Sequence, residues 1–488
     1  MAAHVEAAPR PRAAVSVARF FPRPGLLPFA VVGTLLFLGV PHLLVQDGWL
    51  TLVSGREIVR HGLPSQNHLT LLGNGRHWVD QQWLAQLLFY GVNVLAGLKG
   101  VVLAQIVACF AGIGLLIQSA RRRGASPGSV AFIAAVAIAA APWGLQVRAQ
   151  GLAILLFGAT LALLLKDQRA ESWRTLFVLP VLCLWANVHG SVVLGAALVS
   201  LCGAFSLSRR GERSSRHVAR AAALMLLPPL TLLASPYGFA LAGYYRLMLI
   251  NPPFKGQNVE WKQTAPSAVT AIFFGLACLA IYVGIRNRSW FSRFEIATML
   301  LTLLSALLAV RGIIWFSLAS VAILPAALRR SGKPRLSTRG ATLSTIGAAV
   351  VCALAVAQFA GMRSQELDPF APDLATAVAH AAGSSGTVFA DDQHADWLLW
   401  KVPSLRGRVA YDVRFELLRK DEIRRLADYV QLRDRHPIAG KYTVVVVDRR
   451  HADQLKKLGA MKVRYADDDA IVVSATSGVQ RPIAGGSR

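Results

Sequence analysis

Uncharged apolar stretches long enough to cross a bilayer recur along the first three quarters of this chain, and no other feature restricts its fold as tightly. A spanning helix needs about 20 mostly apolar residues, and a backbone in lipid must satisfy its own polar groups. Such stretches are read near 26–46, 99–120, 128–146, 150–166, 175–189, 190–207, 221–235, 267–285, 296–310, 312–328 and 341–361. They predict a multi-pass α-helical membrane protein of about eleven spans. The short pairs around 175–207 and 296–328 also read as re-entrant hairpins. The Arg-bearing start runs into the first stretch without a small-residue cleavage site, so that stretch is expected to stay as a span.

Charge placement orients the spans. Only 16% of the 488 residues are charged, against about a quarter in soluble domains. The net charge is +26, but residues 1–361 hold 32 Lys/Arg and 9 Asp/Glu, whereas 362–488 hold 20 and 17. In the first part the basic residues cluster between apolar stretches, which is the pattern of membrane topology and not of a nucleic-acid partner. With the tail 1–25 (Arg10, Arg12, Arg19, Arg23) in the cytoplasm, the inner loops are Arg121–Arg123, Lys166–Arg174, Arg209–Arg220, Arg286–Arg293 and Arg329–Arg339. Each carries at least three basic residues. An odd number of spans then puts the C-terminus outside a cell inner or plasma membrane. All five cysteines lie in apolar runs, which excludes a disulfide framework.

Within the transmembrane region 26–361, two outer loops are long, 47–98 and 235–266. In the first, Gly48–His61 and Trp83–Leu95 show helical spacing with terminal aromatics, as helices lying along the interface do. Beyond Met362 the pattern changes. Extended segments Thr387–Ala390, Arg408–Asp412, Tyr442–Asp448 and Ala470–Ala475 alternate with helical ones near 370–383, 415–432 and 449–460. This predicts a C-terminal extracytoplasmic α/β domain over 362–476, followed by a disordered tail, 477–488. Asp467-Asp468-Asp469 reads as a turn on a solvated edge.

Topology shortens the list of residues able to do chemistry. Of the nine acids before 362, only Asp47, Glu57, Asp80 and Glu260 face outward. Asp47 lies at the outer end of the first span, where a carboxylate is costly to desolvate; it also reads as the N-cap of the following helix. Arg148 and Arg311 stand at outer span ends, as phosphate or acid partners or as cations snorkelling to headgroups. His189 sits where one span hands over to the next, as a ligand-binding or a structural residue. No metal-ligand spacing is present, nor a Walker, Rossmann or Gly-x-Ser-x-Gly motif.

The stretch Asp47-Gly48-Trp49, Gly55, Ile58, Gly62-Leu63-Pro64, Gly75-Arg76-His77-Trp78 and Trp83 to Tyr90 resembles the GT-C glycosyltransferases, among them protein mannosyltransferases and the aminoarabinose transferase of lipid A. Further pieces similar to bacterial GT-C-like proteins are Arg148-Ala149-Gln150, Trp185 to Gly190, Ser235-Pro236-Tyr237-Gly238, Val259-Glu260-Trp261, Arg311, Trp397 to Pro403 and Asp412-Val413-Arg414. Two departures stand out. Asp47 is followed by Gly48 where aminoarabinose-type members often carry Glu, and a second outer acidic pair is missing.

The resemblance implies transfer of a sugar from a polyprenyl-phosphate carrier to a cell-envelope glycan, lipid or protein acceptor, with inversion. Asp47 is then the expected general base, with Glu260 or His189 assisting. Arg148 and Arg311 would bind substrate phosphate, with Lys262 and Arg246 as reserves, and Asp80 joins the substrate-binding set. No cofactor or metal is expected. The competing readings are a flippase or transporter for lipid-linked sugars and a non-catalytic member of an envelope complex. In the latter, Trp397, Trp400 and Asp412-Val413-Arg414 would form a contact surface, although the tryptophans also suit a core.

Overall fold

The computed structural model describes residues 24–40, 43–208, 214–250, 259–328, 338–433, 438–458 and 461–475. The expectations for the N-terminal tail, for parts of the loops around 209–213, 251–258 and 329–337, and for the tail after Ser477 lie outside these residues.

Each of the eleven apolar stretches is helical. In chain order the helices are α1 (Leu27–Leu38), α2 (Gln46–His61), α3 (Trp83–Arg122), α4 (Pro127–Ala140), α5 (Ala149–Asp167), α6 (Val178–Ala186), α7 (Val192–Leu207), α8 (Ser215–Leu226), α9 (Pro228–Thr231), α10 (Ala240–Ile250), α11 (Ala271–Arg286), α12 (Arg293–Leu308), α13 (Ile313–Leu328) and α14 (Thr338–Gly361). Among the described residues, four are long and apolar enough to cross a membrane alone, within α3, α5, α13 and α14. The first span was expected to reach residue 46, but α1 ends at Leu38 and the extended Val45 precedes α2.

α3 joins two expected helices across one break. Gly97 has φ 63° and ψ −168°, a backbone that only glycine adopts cheaply. The amphipathic half before it and the apolar half after it thereby take different directions.

Polar contacts sort the helix ends into two sets. At one end of the helical layer, Arg123 pairs with Glu295, and Arg220 bonds Asp167 at 2.8 Å and Glu171 at 3.2 Å. At the other end, Arg148, His189 and Arg311 meet. Lys99, at the start of the second half of α3, donates to the carbonyls of Ala360 and Met362 at the end of α14.

The C-terminal unit contains α15 (Pro372–Ala382), α16 (Asp392–Lys401) and α17 (Lys420–Val430), with strands β1 (Val388–Phe389), β2 (Val444–Asp448), β3 (Met461–Ala466) and β4 (Ala470–Ala475). The sheet order is β1-β2-β4-β3, with β1 parallel to β2 and the other pairs antiparallel. The sequence reading missed α16 and β3. Arg408–Asp412, read as extended, is no strand of this sheet, but Val409 bridges both Val388 and Thr70. The Asp467 carboxylate accepts from the amides of Asp469 and Ala470 at 2.8 and 2.7 Å, which makes the acidic run the turn between β3 and β4.

This unit is locked onto the first loop. Leu71 and Leu72 donate to the carbonyls of Val409 and Ala410, and Gly407 donates to that of Leu69. Arg76 grips Glu422 with two bonds of 2.8 and 2.7 Å. Arg56 of α2 donates to the carbonyls of Leu399 and Trp400, the orphan acceptors at the end of α16, as cations at helix C-termini do. One buried core runs without interruption from the membrane helices to Trp397, Leu398 and Leu399.

Candidate active site

The site begins with a close backbone approach. Val147 donates to the Leu43 carbonyl at 2.7 Å, which draws the chain before α5 against the start of α2. A Cβ on Gly48 would lie 2.8 Å from the Val147 carbonyl oxygen. The departure from the family pattern at this position therefore has a physical reason: only a glycine lets α2 sit so close. Asp47, in the first turn of α2, then reaches Arg148, the residue that caps α5. Asp47 is not an N-cap; Val45 holds that position. Gly48→Ala is expected to push the two segments apart and lower kcat by about a hundredfold, the cost of misplacing a catalytic group by about 1 Å. A steady-state assay of any activity the protein shows, at matched folded yield, checks this.

Arg148 is the hub. Its Nη1 lies 3.0 Å from Asp47 Oδ2 and 2.8 Å from Glu260 Oε1, and its Nη2 donates to the Trp143 carbonyl at 2.9 Å. Glu260 comes from the short turn Val259–Trp261. That turn is held on the end of α12 by Val310 N–H to the Lys262 carbonyl and Thr264 N–H to the Leu307 carbonyl. Arg311 follows directly. Its guanidinium stacks 4.3 Å above the Trp261 ring and stands 3.5 Å from His189 Nε2. Among the described residues, Arg148 is flanked by two carboxylates while Arg311 has none within ion-pair distance.

The two carboxylates are driven apart in acidity. Asp47 keeps 33% of its side chain open, but towards a cavity surrounded by protein, and this burial raises it above the ordinary carboxylate range against the pull of Arg148. For Glu260, burial also pushes up, but Arg148 and Arg311 together outweigh it and leave it below its usual value. Asp47 is thus the better proton acceptor and Glu260 the more permanent countercharge. His189 is buried beside Arg311. Its Nδ1 lies 2.8 Å from the Ser191 hydroxyl.

These groups share a cavity of about 660 Å³. Asp47, Arg148, His189, Glu260 and Arg311 line its charged centre. One limb is apolar, with Val193, Leu194 and Ala197 of α7 facing Leu301, Leu304 and Leu308 of α12. Asp80 lines a further wall, and the C-terminal unit contributes Asp392, Arg414 and Glu416. Lys262 and Arg246 are corrections to the sequence reading. Both side chains are exposed and neither lines the cavity, because each turns away from its neighbours Trp261 and Tyr245, which do. Of the proposed contact surface, Trp397, Asp412 and Arg414 are buried while Trp400 and Val413 are half-buried, and Arg414 is held by Asp412, by Asn67 at 2.7 Å and over the Trp78 ring. Sequence reasoning missed Gln81, Gln86, Asp392 and Glu416. Gln86 lay inside the quoted loop motif and Gln81 just before its last piece, while the two acids carried no local signal.

This layer of apolar helices with a loop-clamped α/β unit over a charged cavity is a fold shared with solved membrane-protein structures. The solved structures most like it include ArnT from Cupriavidus metallidurans bound to undecaprenyl phosphate, at TM-score 0.54 and 14% identity over 94% of this chain and 99% of that one. ArnT from the same organism in the apo state follows, at TM-score 0.52 and 14% identity over 92% and 97%. The apo oligosaccharyltransferase from Archaeoglobus fulgidus is a more distant likeness, at 0.45 and 12% over 86% and 69%. No sequence-family model and no curated protein sequence matches the chain.

Proposed function

We propose that the protein is an inverting glycosyltransferase of the GT-C type, which moves a sugar from a polyprenyl-phosphate carrier to an acceptor on the outer side of an inner or plasma membrane. The observation that carries this reading is the shape of one cavity. Its apolar limb between α7 and α12 suits a lipid tail, and its centre holds a carboxylate beside Arg311, which among the described residues has no acid within ion-pair distance. An undecaprenyl phosphate bound by ArnT, a protein of the same fold, supports the choice of donor.

In this mechanism an acceptor hydroxyl attacks the anomeric carbon while Asp47 takes its proton. The bond from that carbon to the phosphate oxygen breaks, and its electron pair leaves with the polyprenyl phosphate. Arg311 meets the charge of the departing phosphate, an interaction that strengthens as the bond opens. Glu260 stays ionised and holds Arg148, which positions Asp47. The cation between the two carboxylates is a guanidinium of the chain itself, so we read the reaction as needing no metal. The eleven-span topology and the outer placement of the α/β unit belong to the same proposal.

Radiolabelled polyprenyl-phosphate sugar in sealed proteoliposomes tests the reading. Label attached covalently to an added envelope acceptor, or released to water as free sugar, is the expected result. Label that crosses the bilayer still on its lipid would replace the transferase with a flippase, and label that neither moves nor transfers would remove both.

A further inference from the structure

The cavity has a second polar wall that the transfer step does not use. On one side it is made by Asp80, Gln81 and Gln86 of the first loop and α3, and on the other by Asp392 and Glu416 of the α/β unit. Asp80, Gln81 and Gln86 are 2%, 2% and 5% exposed. Gln86 Nε2 donates to Asp80 Oδ1 at 2.8 Å, and Gln81 Nε2 donates to the Ala186 carbonyl at 2.9 Å. These bonds fix both amides and use their donors. The Gln86 amide oxygen and Asp80 Oδ2 are left buried with no hydrogen-bond partner among the described residues. Gln81 has the Tyr245 hydroxyl beside it as a partner. Native proteins leave few buried polar atoms unpaired, because each has lost water and gained nothing. The Gln86 oxygen and the Asp80 carboxyl, which burial raises to about 7, therefore call for hydroxyls from outside the chain, able to donate to one and to exchange bonds with the other.

The chemistry of the missing donors follows from the surroundings. A phosphate brings acceptors and would meet acceptors. An alkyl chain would leave the oxygens unpaired. A sugar ring brings several hydroxyls and two C–H faces, and Trp78, Tyr244 and Phe415 line the same space with flat surfaces suited to those faces. From the far side, burial raises Asp392 to about 6 and Glu416 to about 7. Near neutral pH the Glu416 carboxyl therefore both donates and accepts, as recognition of hydroxyls requires.

We propose that this wall is a sugar-binding subsite, in which Asp80 and Gln86 hold ring hydroxyls from the first loop while Asp392 and Glu416 close on them from the α/β unit. It rests on the transferase reading and deepens it, since it makes the C-terminal unit a component of the sugar site. The sugar belongs either to the donor or to a glycan acceptor, and both present the same hydroxyl pattern.

The test uses full-length protein in lipid nanodiscs, with Gln86→Leu, Glu416→Met and Asp392→Ala. Three affinities are measured: for undecaprenyl phosphate, for the same lipid carrying a hexose or pentose, and for a panel of methyl hexosides and pentosides. If the subsite holds the donor sugar, the wild type prefers the glycosylated lipid. Each variant then cuts that preference about tenfold, the equivalent of one hydrogen bond to a polar group, and leaves bare-lipid affinity unchanged. If it holds the acceptor, the lipid preference stays and methyl-glycoside binding weakens by about the same factor. Variants that keep the wild-type melting temperature and move neither quantity overturn the inference. A wild type that binds no lipid phosphate defeats the transferase reading, and the methyl glycosides then decide the subsite alone. Should Gln86→Leu not fold, Glu416→Met removes the polar group from the α/β unit alone and settles the question.

Discussion

On the proposed mechanism, Asp47→Asn is expected to transfer sugar at least about a hundredfold, and up to about ten-thousandfold, more slowly than the wild type, the range that a positioned general base contributes. The substitution changes neither size nor fold. Arg148 keeps Glu260 at 2.8 Å and the Trp143 carbonyl at 2.9 Å, so the hub of the site survives. Only the group able to take a proton is gone. The loss is therefore expected in kcat, with KM for the lipid-linked donor nearly unchanged, because Arg311 and the apolar limb bind the donor independently. Initial rates across donor concentration separate the two. A variant that retains kcat within a few-fold would move the base elsewhere.

Removing the hub has the second large effect. Arg148→Met keeps an unbranched apolar stem but deletes the guanidinium and its charge, leaving Asp47 and Glu260 without the cation between them. Breaking a buried ion pair by deleting one partner costs about 3–5 kcal/mol. The lower end is expected here, because both carboxylates keep about a third of their side-chain surface open. The pH behaviour carries more information than the melting point. Burial already lifts Asp47, and Arg148 is the strongest influence lowering it. Without Arg148, Asp47 rises further. Since the base must be ionised, the acid limb of kcat/KM moves to higher pH in the variant. Stability shifts the other way. The folded form binds protons more tightly than the unfolded chain, so the variant regains melting temperature as pH falls below the raised value. A pH series of rate and of thermal unfolding reads both.

Much of this arrangement was legible in the sequence, for one reason. Apolar runs and basic loops determine which end of each segment shares a side, and a charge at such an end has few places to go. That reasoning brought Asp47, Arg148, His189, Glu260 and Arg311 together from positions as far apart as 47 and 311. It failed where side-chain direction matters. Lys262 and Arg246 lie next to cavity residues in the chain, but Lys262 turns outward beside Trp261 and Arg246 takes the opposite face of α10 from Tyr245. It failed again where strands are short. Met461–Ala466 is exposed along much of its length and pairs only with β4, so its apolar pattern is weak. Asp392 and Glu416 were invisible for a deeper reason: their place in the site depends on the docking of Val409 beside Thr70, which no local pattern encodes.

That docking has a consequence for how the protein is made. Arg76 is bonded to Leu417, 341 positions later. A chain emerging from the ribosome inserts its membrane helices, and with them Asp47 and Arg148, long before the segment that roofs them exists. Contacts so distant along the chain form late and slowly. Until the segment around Leu417 is made, the nascent protein has its acid and its arginine but no cover over them. The site is complete only when that segment folds down upon the much earlier loop around Arg76.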